Sequence, residues 1–351
     1  MRISLALTLF LFLAPLLFAG PSVASAPSAK ATNPAPDIAP LVAQLEQDLP
    51  DADKMKVVVQ LSRMDDSVIP SLLAAWPVAS PVARPFLLRA LVCHPTDETK
   101  ALLLAELKAN PAAASDELLS AIGRLRIRDA GPVLIALYAQ EQDPEKRQSL
   151  LATLANVRDP RAVDLLGQAS LSEERVESIM GISGLQQLAS LVEAKELSKE
   201  DAEAVRARLQ ALVTASGLPA ETLGGLITAC GLTGDAALAD AIITHVDDNS
   251  VDLRSRTLEA IGRMRARRHA PDVVHALDAS EKSIRVKAAE ALERIGDKTT
   301  IPDLIPLLRD PEPLVRSRVL RALRKISGRN LPPNPEHWQR WYETSGHADE
   351  D

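Results

Sequence analysis

Aromatic residues make up only 3% of the 351 positions, and three of the four phenylalanines, Phe10, Phe12 and Phe18, fall in the first 18. The interior must therefore be filled by Leu, Ala, Val and Ile, and a base-stacking surface for nucleic acid has almost nothing to stack with. Two cysteines, Cys93 and Cys230, are too few for a disulfide framework or a closed thiolate metal site, which takes about four ligands. The six histidines form no H-E-x-x-H pair, and neither a glycine-rich phosphate loop nor a G-x-S-x-G elbow occurs. No catalytic residues, metal site or cofactor is therefore expected, and the chain reads as a non-enzyme. Sustained period-two runs of β-branched residues are missing as well, which excludes a sheet. A net charge of −7 argues against a general polyanion binder.

The ends of the chain differ from its body. Residues 1–26 carry Arg2, an apolar run over residues 5–18 and then small residues, the three-part layout of a secretory signal peptide. That run of 14 residues is short of the roughly 20 that span a bilayer. Cleavage after Ala24 or Ala26, no transmembrane span in the mature chain and a periplasmic or secreted location are expected; retained, the leader would act as an anchor. Residues 27–37, with prolines at 27, 34 and 36, read as an extended linker. The folded body is expected over residues 38–329, followed by a cap and acidic tail over residues 330–351.

What is abundantly present is a repeat, with a period of 31. Arg254, Arg285 and Arg316 open the segments RSRTLEAIGRM, RVKAAEALERI and RSRVLRALRKI, which align without gaps, and Pro271 and Pro302 each fall 17 residues after their arginine. Starts at residues 53, 84, 115, 147, 178 and 223 complete nine units, spaced by 31 or 32 except for one step of 45. Seven places into them stand Gln60, Leu91, Ile122, Leu154, Leu185, Cys230, Ile261, Leu292 and Leu323, of which only the first is polar. In the clearest unit Ile284, Ala288, Ala289, Leu292 and Ile295 recur at steps of three and four, one face of an amphipathic helix. The proline opening the next segment suits the first turn of a second helix, where no hydrogen bond is lost. Short helix pairs cannot bury their apolar stripes alone, so consecutive pairs must stack into an all-α solenoid.

Residues 283–328, SIRVKAAEALERIGDKTTIPDLIPLLRDPEPLVRSRVLRALRKISG, resemble HEAT repeats. The resemblance implies a superhelix of helix–turn–helix units in which the arginine-bearing helix of each pair lines the concave wall. It implies further an acidic residue six places before that arginine as a helix cap. Asp248, Asp310 and Glu141 keep this spacing to Arg254, Arg316 and Arg147, whereas Arg285 has Ala279 there. The short period is similar to that of phycobilin-lyase-like and many bacterial HEAT proteins, so a chromophore-attachment factor stands as an alternative function. Export and the lack of a clustered nucleophile count against it.

Two stretches depart from the period. Fourteen extra residues lie within residues 191–217, where Ser198 and Asp201 have capping-box spacing. They read as a lengthened outer helix or as a docking ridge. After the ninth unit no ordinary partner helix is expected; Trp338 and Trp341, three apart, instead share a helical face, read as an end cap rather than an aromatic ligand site. His94, at an apolar column position, reads as a satisfied core histidine. Cys230 falls in the buried column, Cys93 on the polar side, and their units lie too far apart for a disulfide.

Charge is the remaining asymmetry. Residues 254–329 contain 18 Lys and Arg against 10 Asp and Glu, whereas residues 1–253 contain 21 against 32. Positions two and nine of a unit are seven apart, share a helical face and lie opposite the apolar stripe. In the last three units they hold Arg256, Lys287 and Arg318, and Arg263, Arg294 and Lys325, all basic; RMRARR over residues 263–268 adds a cluster at one helix end. The expected function is a non-catalytic protein–protein interaction scaffold, with this stripe receiving a partner's acidic or extended segment. Two alternatives stand beside it: a solvated face on which these cations pair with Glu259, Glu290 and Glu293, and a binder of anionic cell-envelope polymer.

Overall fold

The computed structural model describes residues 36–345. The leader, the linker up to residue 35 and the acidic tail lie outside the described residues. Among the described residues every regular element is helical, and no strand occurs.

The opening helices of the nine units, hereafter the long helices, are Asp51–Ser62, Arg84–Val92, Asp116–Arg124, Pro144–Val157, Arg175–Ala194, Ala220–Leu232, Val251–Met264, Lys282–Ile295 and Pro313–Ser327. Each packs against the next, so they form one continuous row. Other helices, most of them shorter, alternate with them and form a second row, among them Ile69–Ala75, Gly131–Gln140, Ala270–His275 and Ile301–Leu304. Pro70, Pro132, Pro271 and Pro302 stand in the first turns of these shorter helices, where the missing N–H has no intrahelical partner to lose. Pro77 and Pro306 fall further along, and there the backbone tightens into the 3-10 turns Trp76–Val78 and Ile305–Arg309. The result is a regular long-helix row laid against a row interrupted by proline.

The apolar column lies between the rows. Leu91, Ile122, Leu154, Leu185, Cys230, Ile261, Leu292 and Leu323 are all fully buried. Each aliphatic member contributes about 1.5–3 kcal/mol by leaving water, so the column is the spine of the fold. The first unit corrects the sequence reading. Gln60 is exposed, and Val57, Val58 and Leu61 are buried, so this unit begins at Lys54, one residue later than the spacing suggested.

The extra residues of the fifth unit are shared between two elements. Its long helix, Arg175–Ala194, runs 20 residues, and the following helix, Lys199–Val213, runs 15 and buries Val205, Leu209 and Leu212 in the second row. Ser198 caps that helix by accepting the Asp201 N–H at 3.1 Å. At the C-terminus the expectation of a missing partner helix is corrected. Pro335–Ser345 packs against Ile305–Arg309 of the preceding unit and so continues the second row. Trp338 is fully buried, its indole N–H donates to Pro332 O at 2.9 Å, and its ring meets Trp341 edge-on with centroids 6.0 Å apart.

Candidate functional site

The long-helix row brings the six predicted cations of units seven to nine onto one face, and interleaves them with carboxylates. Lys287 Nζ lies 3.1 Å from Glu259 and 3.7 Å from Glu290, and Arg318 Nε lies 3.2 Å from Glu290. Lys325 reaches Glu293 at 3.6 Å, and Arg321 donates to the same carboxylate at 2.7 Å. Arg256 pairs with Asp252 at 2.7 Å and stretches across the row to Thr228 of the sixth unit; Arg263 stands 3.8 Å from Glu259. Arg294 is exposed and has no ion pair among the described residues. The Lys287 ammonium, hydrogen-bonded to Glu259, holds that carboxyl below its ordinary pKa.

These contacts follow from the period. A residue five places into one unit and a residue two places into the next are 31 − 3 = 28 positions apart, as are Glu259 and Lys287, Glu290 and Arg318, and Glu293 and Arg321. Parallel helices side by side bring such positions together. A groove of about 360 Å³ opens on this face between the sixth, seventh and eighth units, with Thr228, Leu232, Ser255, Arg256, Arg263 and Lys287 on its walls. Further along the row the same columns change character. Phe86, two places into the second unit, is buried under the cations of Lys54 and Arg89, each about 5.5 Å from the ring centroid, so this column does not face away from the core throughout.

The opening arginines of the units do a different job. Arg285 and Arg316 each donate from one nitrogen to carbonyls six and five residues upstream, Ala279 and Ser280 at 2.8 and 2.9 Å and Asp310 and Pro311 at 2.7 and 3.0 Å. Arg147 likewise donates to Glu141 O at 3.1 Å. The acidic residue six places ahead is thus held by its carbonyl, while its carboxylate accepts N–H groups of the turn, Asp310 from Glu312 and Asp248 from Ser250, both at 2.8 Å. Asp310 also reaches back to the preceding unit, where Arg285 grips both its oxygens at 2.7 and 3.1 Å. Burial alone would raise the Asp310 carboxyl, but Arg285 and the Glu312 N–H hold it below its ordinary value.

The other singled-out residues are structural in their contacts. His94 is buried, with Nδ1 3.2 Å from Asp66 and Nε2 3.1 Å from Leu61 O. Burial pushes the Cys230 thiol up to about 12, which keeps it protonated, whereas Cys93 is exposed. Among the described residues no three of His, Cys, Asp and Glu gather as a metal would require, and no helix is long and apolar enough to cross a membrane.

Comparison with known proteins agrees with this architecture. Residues 270–333 match the family of HEAT repeats. No curated protein matches the sequence. Among solved structures, Kap121p bound to Nup53p is similar at 14% identity and a TM-score of 0.51, covering 88% of this chain and 38% of that one. An engineered protein aligns at 16% identity and a TM-score of 0.44 over 89% of this chain and 93% of its own. Human deoxyhypusine hydroxylase in complex with glycerol aligns at 17% identity and a TM-score of 0.32 over 84% and 96%. The C-terminal units therefore match HEAT repeats, and the same helix-pair architecture runs through the rest of the described body.

Proposed function

We propose that the protein is a non-catalytic interaction scaffold, exported to the periplasm or cell envelope, that receives an acidic or extended segment of a protein partner on the long-helix face of units six to nine. The observation that carries this reading is the groove walled by Arg256, Arg263 and Lys287 beside the uncharged Thr228, Leu232 and Ser255, in which the cations outnumber the carboxylates Asp252 and Glu259. It offers cations for carboxylates and neutral, partly apolar surface for the chain between them. The HEAT resemblance supports reading this face as the concave wall.

The carboxylate pairing sets how the reading is tested. Changing Lys287 or Arg318 to Glu would place a third carboxylate beside Glu259 or Glu290 and threaten the packing of the row. Neutral substitution removes the charge and leaves the stem. A photo-crosslinker at Ser255 in the full chain, exposed to an envelope extract, should capture an acidic peptide, and Arg256→Gln with Lys287→Gln and Arg318→Gln should reduce capture at that position. Undiminished capture by the triple variant, or crosslinked peptides with no acidic bias, would remove the groove from consideration. Capture that persists at high salt would show that charge is not the main term.

A further inference from the structure

The turns that leave the long helices are not alike. In the first, fourth, sixth and eighth units an aspartate follows the helix end and caps the next 3-10 turn: Asp65, Asp159, Asp235 and Asp297. In the third and seventh units that position is taken by buried Ile127 and buried Ala266, and the 3-10 turn has no side-chain cap. Both of these units carry the pattern R-x-R-x-R, at residues 124–128 and 263–267. In both, the middle arginine lies in the left-handed region, Arg126 at φ 51° and Arg265 at φ 50°. In both, the following N–H closes back onto the helix, Ile127 to Ile122 O at 3.1 Å and Ala266 to Ile261 O at 3.3 Å. Ile127, Met264 and Ala266 are buried and Leu125 half-buried, while the arginines are exposed except for half-buried Arg128.

A left-handed conformation is unfavourable for a non-glycine residue, and the corresponding turns of the sixth, eighth and ninth units use Gly234, Gly296 and Gly328. A cation at a helix C-terminus gains from the dipole, which offsets part of that strain. The arginines also lack partners. Among the described residues Arg124, Arg126, Arg128, Arg265 and Arg267 make no ion pair and no side-chain hydrogen bond, in contrast to the neutralised stripe. Nearby carboxylates serve others: Asp240 holds Arg268 and His269, and Glu259 stands 3.8 Å from Arg263 and closer to Lys287. Asp129 is exposed next to Arg128. Between the two turns lie the left-handed Arg158, bonded through Nε to Gln187 at 2.9 Å, and Lys195, alongside acidic Glu193, Glu196 and Asp235.

We infer that the two arginine turns are paired anchor points, on one edge of the solenoid, for an extended polypeptide segment bearing two clusters of Asp or Glu. All the long helices run in the same direction, so their C-terminal ends share that edge. Four steps of about 8–10 Å separate the turns, a distance of roughly 30–40 Å that about a dozen extended residues cover. Paired arginine forks suit carboxylates; between the turns Arg158 and Lys195 stand against Glu193 and Glu196, and Arg206 pairs with Asp235, so a neutral spacer suits that stretch. This rests on the scaffold reading and moves its strongest contacts from the inner face to the edge.

The test uses the full chain and two synthetic peptides, one with two glutamate blocks separated by a neutral spacer and one with a single block, followed by fluorescence anisotropy. Arg126→Gly and Arg265→Gly suit the left-handed backbone, so with Arg128→Gln and Arg267→Gln they remove charge without threatening the fold; circular dichroism confirms that. The two-block peptide should bind more tightly than the single block, and the fourfold variant should weaken it about tenfold or more. Arg256→Gln with Lys287→Gln and Arg318→Gln should weaken it less than the fourfold variant does. Equal binding by the fourfold variant overturns the inference, and if the stripe variant loses binding instead, the groove reading survives and the edge does not. Absence of binding to either peptide at low salt overturns both. Tighter binding of heparin or a DNA oligonucleotide than of the two-block peptide overturns the choice of a polypeptide.

Discussion

Units seven to nine and units one and two build the same helix pairs by different means. At the C-terminal end the long helices approach closely because small residues face each other: a Cβ on Gly262 would lie 2.8 Å from Ala291 Cα. That closeness lets charged side chains on the open face bridge from unit to unit, as Lys287 does to Glu259 and Arg318 to Glu290. At the N-terminal end Val92 stands where the seventh unit has Gly262, and bulky Phe86 fills the space beneath Lys54 and Arg89. Trp76 lies under Arg84 at 5.5 Å and donates its indole N–H to Glu106 at 3.2 Å. Close packing of small side chains permits ion-pair ladders, whereas aromatic spacers call for cation–π contacts. The repeat therefore specifies a backbone, and the interface chemistry is free to change along it.

The comparison breaks most sharply at Asp310. Asp310→Ala leaves the Arg285 guanidinium buried without its carboxylate and should destabilise the last units by about 3–5 kcal/mol, read as faster amide hydrogen exchange there with little change in units one and two. The same pair sets an acid limb. Because the folded Asp310 pKa is depressed, its contribution is full at pH above the ordinary aspartate value of about 3.9 and is lost as pH falls through the depressed one. Hydrogen exchange of the C-terminal units should show this loss in the wild type, and Asp310→Ala should flatten it.

Gly262→Leu forces the seventh and eighth long helices apart and should cost about 1–3 kcal/mol or more, while Val92→Leu, where a branched side chain is already housed, should cost less than half as much by denaturant titration. Lys287→Gln and Arg318→Gln, a third exposed and screened by water, should each cost at most about 1 kcal/mol. The smallest effect is chemical. A thiol reagent should modify exposed Cys93 in the native protein and leave Cys230 untouched until the sixth unit opens, since burial keeps that thiol protonated and inaccessible.

Much of the fold was legible because a solenoid is nearly one-dimensional. The column from Leu91 to Leu323 needs only a period and an apolar side chain, and both are visible along the chain. The first unit misled because Gln60 and Leu61 are neighbours and the spacing alone cannot distinguish them; Val57, Val58 and Leu61 together would have set the phase. The partner helix Pro335–Ser345 was hidden because its proline-rich approach delays its start past the usual offset. At the candidate site, the six cations were readable as a stripe with Glu259, Glu290 and Glu293 as partners, and the 28-residue spacing could have assigned which cation meets which carboxylate. The turn over residues 124–128 was overlooked although its pattern repeats that of residues 263–267.

By itself the sequence determined that the body is a stack of helix pairs and which side chains fill its interior, since periodicity and hydrophobic burial act between residues at regular intervals along the chain. Only the tertiary structure decided which cations are neutralised and which remain free. Lys287 and Arg318 meet carboxylates of a neighbouring unit, while Arg126 and Arg265 leave their helix ends in a left-handed turn that directs them away from any. The physical reason is that charge pairing depends on distances of a few ångströms between units, set by the packing of small residues, whereas the repeat governs only the order in which the units follow one another.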